Sequence, residues 1–324
     1  MNQRRTSTPW LALLAATFLT LLLTVATAQD GSDEAPSAET AEKRIITIDG
    51  SGGTQRGNLR SGPIIYEHPD EFGVQATVST LTIRGSFAEL SAPEGTSIGT
   101  GGQRTAAFRN GVLVERGRMT ATGPALTYSE ATGLGVLEGP ADIAVAPDDE
   151  GEEPVQITAE RVEFDVDTDR STSSGSVQLV NGNQMAFAEQ LIYEEERTLG
   201  VFTSEGSQAR MTRQDADGTE MVITADEIRV LTDQKLLYAT GNVTVVDGPI
   251  TSTGAEVFFD DNTGIAEIIG SANAPAQAVD SESGATLSTD RIKQDIEYDF
   301  FEAIDASVPS EFDAGAFELT AAAP

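Results

Sequence analysis

Ile223-Thr224-Ala225-Asp226-Glu227-Ile228, Gly241-Asn242-Val243-Thr244-Val245-Val246-Asp247-Gly248, Ala255-Glu256-Val257-Phe258-Phe259 and Thr263-Gly264 make up one unit of a repeat. A stretch 66 residues earlier carries the same unit without a gap: Ile157-Thr158-Ala159-Glu160, Gly175-Ser176-Val177, Val180-Asn181-Gly182, then Leu191 and Tyr193 at the positions of Val257 and Phe259. An earlier copy stands 131 residues before. Gly117 to Gly123 falls on Gly248 to Gly254, Val112 and Val114 on Val243 and Val245, Leu126 and Tyr128 on Val257 and Phe259. A truncated copy opens at Leu287 to Ile292, and Leu81 to Glu94 reads as a degenerate first one. A fixed period of this length marks an architecture of stacked supersecondary units, each burying its apolar face against the next.

Within a unit, apolar residues alternate with polar ones. In the strands that open with Gly175 and Gly241, Val177 shares a face with Leu179 and Val243 with Val245, as Val257 does with Phe259, which is what period-2 geometry requires of a strand. Turn chemistry separates the runs. Asp260 to Gly264 and Ser129 to Gly133 end in Gly, as a hairpin loop with a bulge needs, and Asn181-Gly182 and Asp247-Gly248 read as two-residue hairpin turns. No long 3.6-residue stripe interrupts this pattern. The predicted fold is all-β: a repeat-built, elongated antiparallel structure whose exposed end strands can pair with another copy.

The flanks and composition narrow the function. Arg4 and Arg5, the apolar run Trp10 to Val25, and Ala26-Thr27-Ala28 predict a signal peptide over residues 1–28, cleaved after Ala28, and hence export from the cytoplasm. Residues 29–43 read as a flexible acidic leader. Asp148 to Pro154 is a second acidic break, either a domain linker or a long hairpin loop, dividing a first β module (44–147) from a second (155–319). Thr320 to Pro324 reads as a frayed tail. The net charge is −32, and −34 without the two signal-peptide arginines. Nucleic-acid binding needs Lys and Arg to replace phosphate counterions, so this balance excludes it. The chain has no cysteine although an exported protein can form disulfides, so its stability is expected from a large core.

In order and recurrence, these motifs resemble the OstA-like, or LptA-like, family of periplasmic lipopolysaccharide-transport proteins. The resemblance implies a slot-shaped β-jellyroll, as one or two stacked modules, whose apolar interior shields the acyl chains of an envelope lipid or glycolipid. It implies end-to-end strand pairing with itself or with other OstA-like proteins, through the segments near Ile45–Ile48 and Ile292–Tyr298. The residues expected to line the apolar track are Val112, Val114, Leu126, Tyr128, Val177, Leu179, Leu191, Tyr193, Val243, Val245, Val257 and Phe259. Ile192 and Phe258 have the opposite parity and are apolar too, which leaves room for a second sealed layer. A structural scaffold that binds only proteins is the competing reading, since a filled sandwich core is lined by the same residue types.

Catalytic and metal chemistry finds little footing. His68 is the only histidine and has no G-x-S-x-G partner motif, so neither a Ser/His/Asp triad nor a His/Cys zinc site is expected. Asp165-Val166-Asp167-Thr168-Asp169 begins like a calcium loop, but the sixth and twelfth positions are Arg170 and Ser176, which favours a solvated turn. Glu152-Glu153 and Glu194-Glu195-Glu196 lack the arrangement a glycosidase needs. No cofactor is expected, and the chain reads as non-enzymatic.

Overall fold

The computed structural model describes residues 42–147, 154–214, 218–296, 298, 300–305, 307–310 and 312–321. The expected signal peptide, most of the leader, the core of the acidic break (148–153) and the last three residues lie outside these. The described residues form one compact unit. Among the described residues it is all-β, with 22 strands joined by antiparallel pairing and one 3₁₀ turn, Ala314–Phe317.

Long strands dominate the middle: β5 (Leu81–Ser91), β6 (Thr105–Arg116), β7 (Met119–Ser129), β8 (Leu134–Val145), β9 (Val155–Asp165), β10 (Arg170–Asn181) and β11 (Gln184–Glu194). Each is bent near its centre, where the pairing register shifts, for example between Ser174 and Val177 in β10. One half of each strand therefore pairs in a first layer and the other half in a second. After β11 the bend widens into a break. β12 (Leu199–Thr203) and β15 (Glu227–Leu231) continue the second layer, while β13 (Ala209–Gln214) and β14 (Glu220–Ala225) continue the first. β16 (Leu236–Asp247) and β17 (Ile250–Asp260) again span both layers. β18 (Ile265–Ile269), β21 (Arg291–Asp295) and β22 (Phe300–Ile304) then extend the second layer, and β19 (Ala276–Asp280) and β20 (Thr286–Thr289) the first. At the other end, β1 (Thr47–Asp49) pairs with β4 (Val74–Val78) in the first layer. There β2 (Thr54–Gly57) pairs with β3 (Ile64–Glu67) in the second. This is a jellyroll of two facing layers. Its ladder runs unbroken from β8 into β9, across the 148–153 segment.

The recurring motifs meet at the bends. Gly175-Ser176 and Gly241-Asn242, which read in the sequence as strand openings, lie instead at mid-strand corners with consecutive positive φ (78° and 47°; 78° and 50°). The acidic residue of the recurring Thr-Ala-Asp/Glu run faces the corner of the strand beside it. Asn242 Nδ2 donates to Asp226 Oδ2 at 2.8 Å, and Ser176 Oγ donates to Glu160 Oε1 at 3.1 Å. A Cβ on Gly241 would stand 2.5 Å from Asp226 Oδ2 and one on Gly175 2.7 Å from Glu160 Oε2, so both the φ and the space call for glycine.

The hairpin loops are shifted by one residue from their sequence reading. Asn181 pairs with Gln184 and Asp247 with Ile250, so the loops are Gly182-Asn183 and Gly248-Pro249. Glycine at the first loop position with positive φ is the type II′ requirement, not the Asn-Gly type I′ arrangement. At one open end the outermost strand is β22, with Ile292 an inner-strand residue paired on both sides. The end segment expected at Ile292–Tyr298 is thus displaced to Phe300–Ile304. Thr320 is not frayed. Glu194 accepts its main-chain N–H at 2.9 Å, because the 312–320 segment packs on the outer surface.

The corners yield the first prediction. Gly241→Ala should destabilise the fold by about 1–3 kcal/mol, the usual range for forcing a side chain into the left-handed region, with carboxylate overlap pushing it to the upper end. Gly248→Ala, at φ 52° with nothing near its Cβ position, should cost visibly less. Thermal unfolding of the two variants ranks them; equal losses would remove the corner's special role.

Candidate functional site

The space between the two layers is the candidate site. All twelve track residues point into it, and none is more than 3% exposed. Period-2 parity therefore places the copies as the repeat requires. Large residues mostly face small ones across the ladder. Tyr128 lies opposite Ala106 and Gly135, Tyr193 opposite Ser171 and Gly200, and Phe259 opposite Ala266 on one side, with the larger Leu237 on the other. Such alternation fills a layer without voids. Phe108, Phe164 and Phe202 are buried in the same core and were not singled out from the sequence, since they fall between the aligned motifs. The signal that finds them is the alternation of their own strands, as in Phe164 two residues from Val162.

The tyrosines keep a polar handle at the border. Tyr128 Oη donates to the Arg44 carbonyl at 2.8 Å, and Tyr193 Oη lies 3.3 Å from Thr232 Oγ1. Burial raises both phenols, that of Tyr193 to about 12. Both stay neutral at ordinary pH and act as apolar bodies with one hydrogen-bonding tip.

Opposite the corners the layers end in two rows of turns, and polar contacts join row to row. Thr80 Oγ1 donates to Asp169 Oδ1 at 2.7 Å, and Arg118 Nη2 to Asp233 Oδ2 at 2.9 Å. Asn181 Nδ2 donates to the Thr232 carbonyl at 3.4 Å, and Arg213 pairs with Asp261. Arg116 approaches Glu195 at 3.4 Å and lies over the Phe164 ring, its Nη2 buried without a hydrogen bond. Burial pulls this guanidinium below its ordinary pKa, although Glu195 opposes the effect. A cleft of about 470 Å³ opens along this seam beside Arg116, Arg118 and Glu195, and a second of about 280 Å³ beside Asn181 and Asp233. The seam was not legible in the sequence because its partners lie up to 115 residues apart.

The other candidates have local roles. His68 Nδ1 accepts from the Asp70 N–H at 3.0 Å and closes its own turn. In the Asp165–Asp169 turn, Asp165 accepts from the Asp167 N–H and Thr168 Oγ1, Asp167 pairs with Arg44 at 2.5 Å, and Asp169 belongs to the seam. Glu194 pairs with Arg170 and Arg197. No cluster of metal-ligating side chains occurs among the described residues. Glu152-Glu153 lies outside them.

Residues 156–296 match the family described as LptA/(LptD N-terminal domain) LPS transport protein. The match begins in β9 and ends just after β21, so it holds the two best-aligned repeats and eight of the twelve track residues, from Val177 to Phe259. No curated protein matches the chain. Among solved structures, LptH of Pseudomonas aeruginosa, the LptA homologous periplasmic component of the lipopolysaccharide transport device, aligns at 13% identity and a TM-score of 0.35. The alignment covers 42% of this chain and 94% of that one.

The seam end of the fold gives a pH prediction. Glu130 has no exposed side-chain surface and pairs with Arg104 at 2.5 Å. It also accepts from the main-chain N–H groups of Ile46, Gly102 and Arg104. Desolvation raises its pKa, but the Arg104 and main-chain hydrogen bonds outweigh it and hold the group below its ordinary 4.5. A depressed folded pKa contributes stability that is present above the unfolded value and lost as pH falls through the folded one. Glu130→Gln should therefore lose about 3 kcal/mol at pH 7, the cost of breaking a buried pair. The gap from the parent should narrow below pH 4.5. Urea unfolding at pH 7 and pH 3.5 checks both signs.

Proposed function

We propose that this chain is a non-enzymatic carrier or bridge of the periplasm that shelters the acyl chains of a lipopolysaccharide-like envelope lipid between its two β layers. The observation that carries the reading is the alignment of equivalent apolar residues from three repeat copies along one interior, within and beside the segment that matches the LPS-transport family. An acyl chain gains roughly 0.8 kcal/mol per buried CH₂, so such a track needs no catalytic group and few polar contacts. The interior is filled by side chains in this structure, so loading requires the layers to separate. The seam is the side on which they can do so. The corner side is continuous backbone, whereas the seam is held by side-chain contacts, of which Thr80–Asp169 and Arg118–Asp233 are partly exposed and individually weak. In this reading the open ends at β1, β2, β20 and β22 pair with further copies or with other members of the family.

The closed packing of the twelve residues also favours a second reading, a protein-binding scaffold of the envelope with an ordinary core. Photo-crosslinking separates the two. A photo-reactive residue at Tyr193 or Phe259 should capture lipid in the living envelope, and one at Ile192 or Phe258 should capture much less. Equal labelling at both parities, or no lipid at either, would establish the scaffold.

A further inference from the structure

On the outer side of the second layer, the residues that alternate with the interior track form a second apolar surface, and the 312–320 segment lies across it. Phe312 stacks on Phe258 with ring centroids 5.1 Å apart, Phe258 stacks on Tyr238 at 4.4 Å, and Phe317 tilts against Tyr238 at 5.7 Å. Phe317 is buried with Leu199, Val201 and Leu231. The main chain of the segment is held as well. Arg197 donates to the carbonyls of Ala316 and Glu318, Arg229 to that of Phe317 at 3.0 Å, and Arg170 to that of Thr320. Three of only 20 basic residues, in a chain of net charge −32, thus converge on one short segment that carries Asp313 and Glu318. Main-chain capture combined with pockets for spaced rings is the construction of a peptide groove: the first supplies affinity, the second selectivity.

We propose that this outer groove is a peptide-docking site, and that its occupant in an assembly is the 312–320 segment of a second copy of this chain. Every contact made within one chain is available in identical form between two, which is what makes exchange of an element a low-cost route to association. The stretch between Ile304, at the end of β22, and Phe312 can reach roughly 25 Å when extended, enough to carry the segment to a neighbouring groove. Val308 within that stretch is 49% exposed, and Arg291 holds its carbonyl at 2.7 Å, a contact that exchange must release. The groove presents Arg170 and Arg197, oriented by Glu194, and Arg229, oriented by Glu227, as main-chain donors for whichever copy of the segment lies in it. This surface lies apart from the strand edges at β1, β2, β20 and β22, so it joins copies through their sides and adds to any end-to-end pairing.

The absence of cysteine makes the test clean, because introduced thiols are the only ones present. Glu196, exposed in the β11–β12 turn, and Thr320 border the same cleft and make none of the carbonyl contacts to arginine through their side chains. In the double variant Glu196→Cys/Thr320→Cys, a short bismaleimide should link the two positions within one chain. Mixing the two single variants at high protein concentration should give a cross-linked heterodimer at least about 10-fold more abundant than the homodimers of either variant alone, because docking raises the effective concentration of the two thiols. Adding Phe317→Ser to the Thr320→Cys chain should abolish that excess while circular dichroism shows the β structure intact. Linkage within the double variant but no excess of heterodimer would overturn the exchange. Failure of the double variant to link would overturn the seating of the segment itself.

Discussion

The two-layered arrangement depends on one backbone constraint, the corner at which a long strand turns from the first layer into the second. Gly175-Ser176 and Gly241-Asn242 hold consecutive positive φ values, and a carboxylate on the neighbouring strand, Glu160 or Asp226, is bonded to the second residue of each pair. Without the bend, a twelve-residue strand such as β10 or β16 would be a flat ribbon with one exposed apolar face. With it, both halves of the strand turn the same parity of side chains inward, and Val177 and Ser173 of β10 face one interior. The unsatisfied edges that a broken sheet would leave at mid-strand do not arise, because the ladder resumes after the bulge.

The sequence revealed the repeat, the strand character and the interior parity for a physical reason. Period-2 alternation and glycine-dependent turns are local properties, written within a few residues of one another. Tyr193 and Phe259 could be placed inside from their neighbours alone. What stayed hidden was nonlocal. The Gly-Asn and Gly-Ser pairs looked like strand openings because positive φ serves turns and bulges alike. The loops shifted by one residue because Gly182 and Gly248 suit either central position of a two-residue turn. Arg118 and Asp233 gave no sign of contact, since nothing in either one's neighbourhood specifies a partner in the facing row of turns.

Ile192 and Phe258 show how one ambiguity was resolved. Both lie on the face opposite the track, where an exposed apolar row would invite aggregation. The 312–320 segment answers this by covering them, and its polar main chain is satisfied by Arg170, Arg197 and Arg229 instead of by a strand ladder. The result is a sheet apolar on both sides over β11, β12, β15, β16 and β17. That departs from the usual one-wet, one-dry antiparallel pattern. The sequence marks the departure as consecutive apolar residues, Leu191-Ile192-Tyr193 and Val257-Phe258-Phe259, where strict alternation lapses.

The interior and the seam divide the energetics between them. Track side chains at 0–3% exposure fill the interior and make the layers cohere. An acyl chain entering there replaces side-chain contacts with its own, so its net gain falls well below roughly 0.8 kcal/mol per CH₂. A chain of a dozen carbons would nevertheless have a gross gain of about 10 kcal/mol, against ion pairs worth about 0–1 kcal/mol each where exposed. In the carrier reading the seam opens contact by contact, at the added cost of parting the filled interior, while the corner side stays hinged by backbone. The buried Arg116 guanidinium, with an unbonded Nη2 and a pKa lowered by desolvation, is a costly group along that seam, and separation of the layers would return it to water. Opening therefore exchanges lost apolar contact for restored hydration of a charge. The two terms oppose each other, and a carrier that loads reversibly needs such opposition where a rigid scaffold does not.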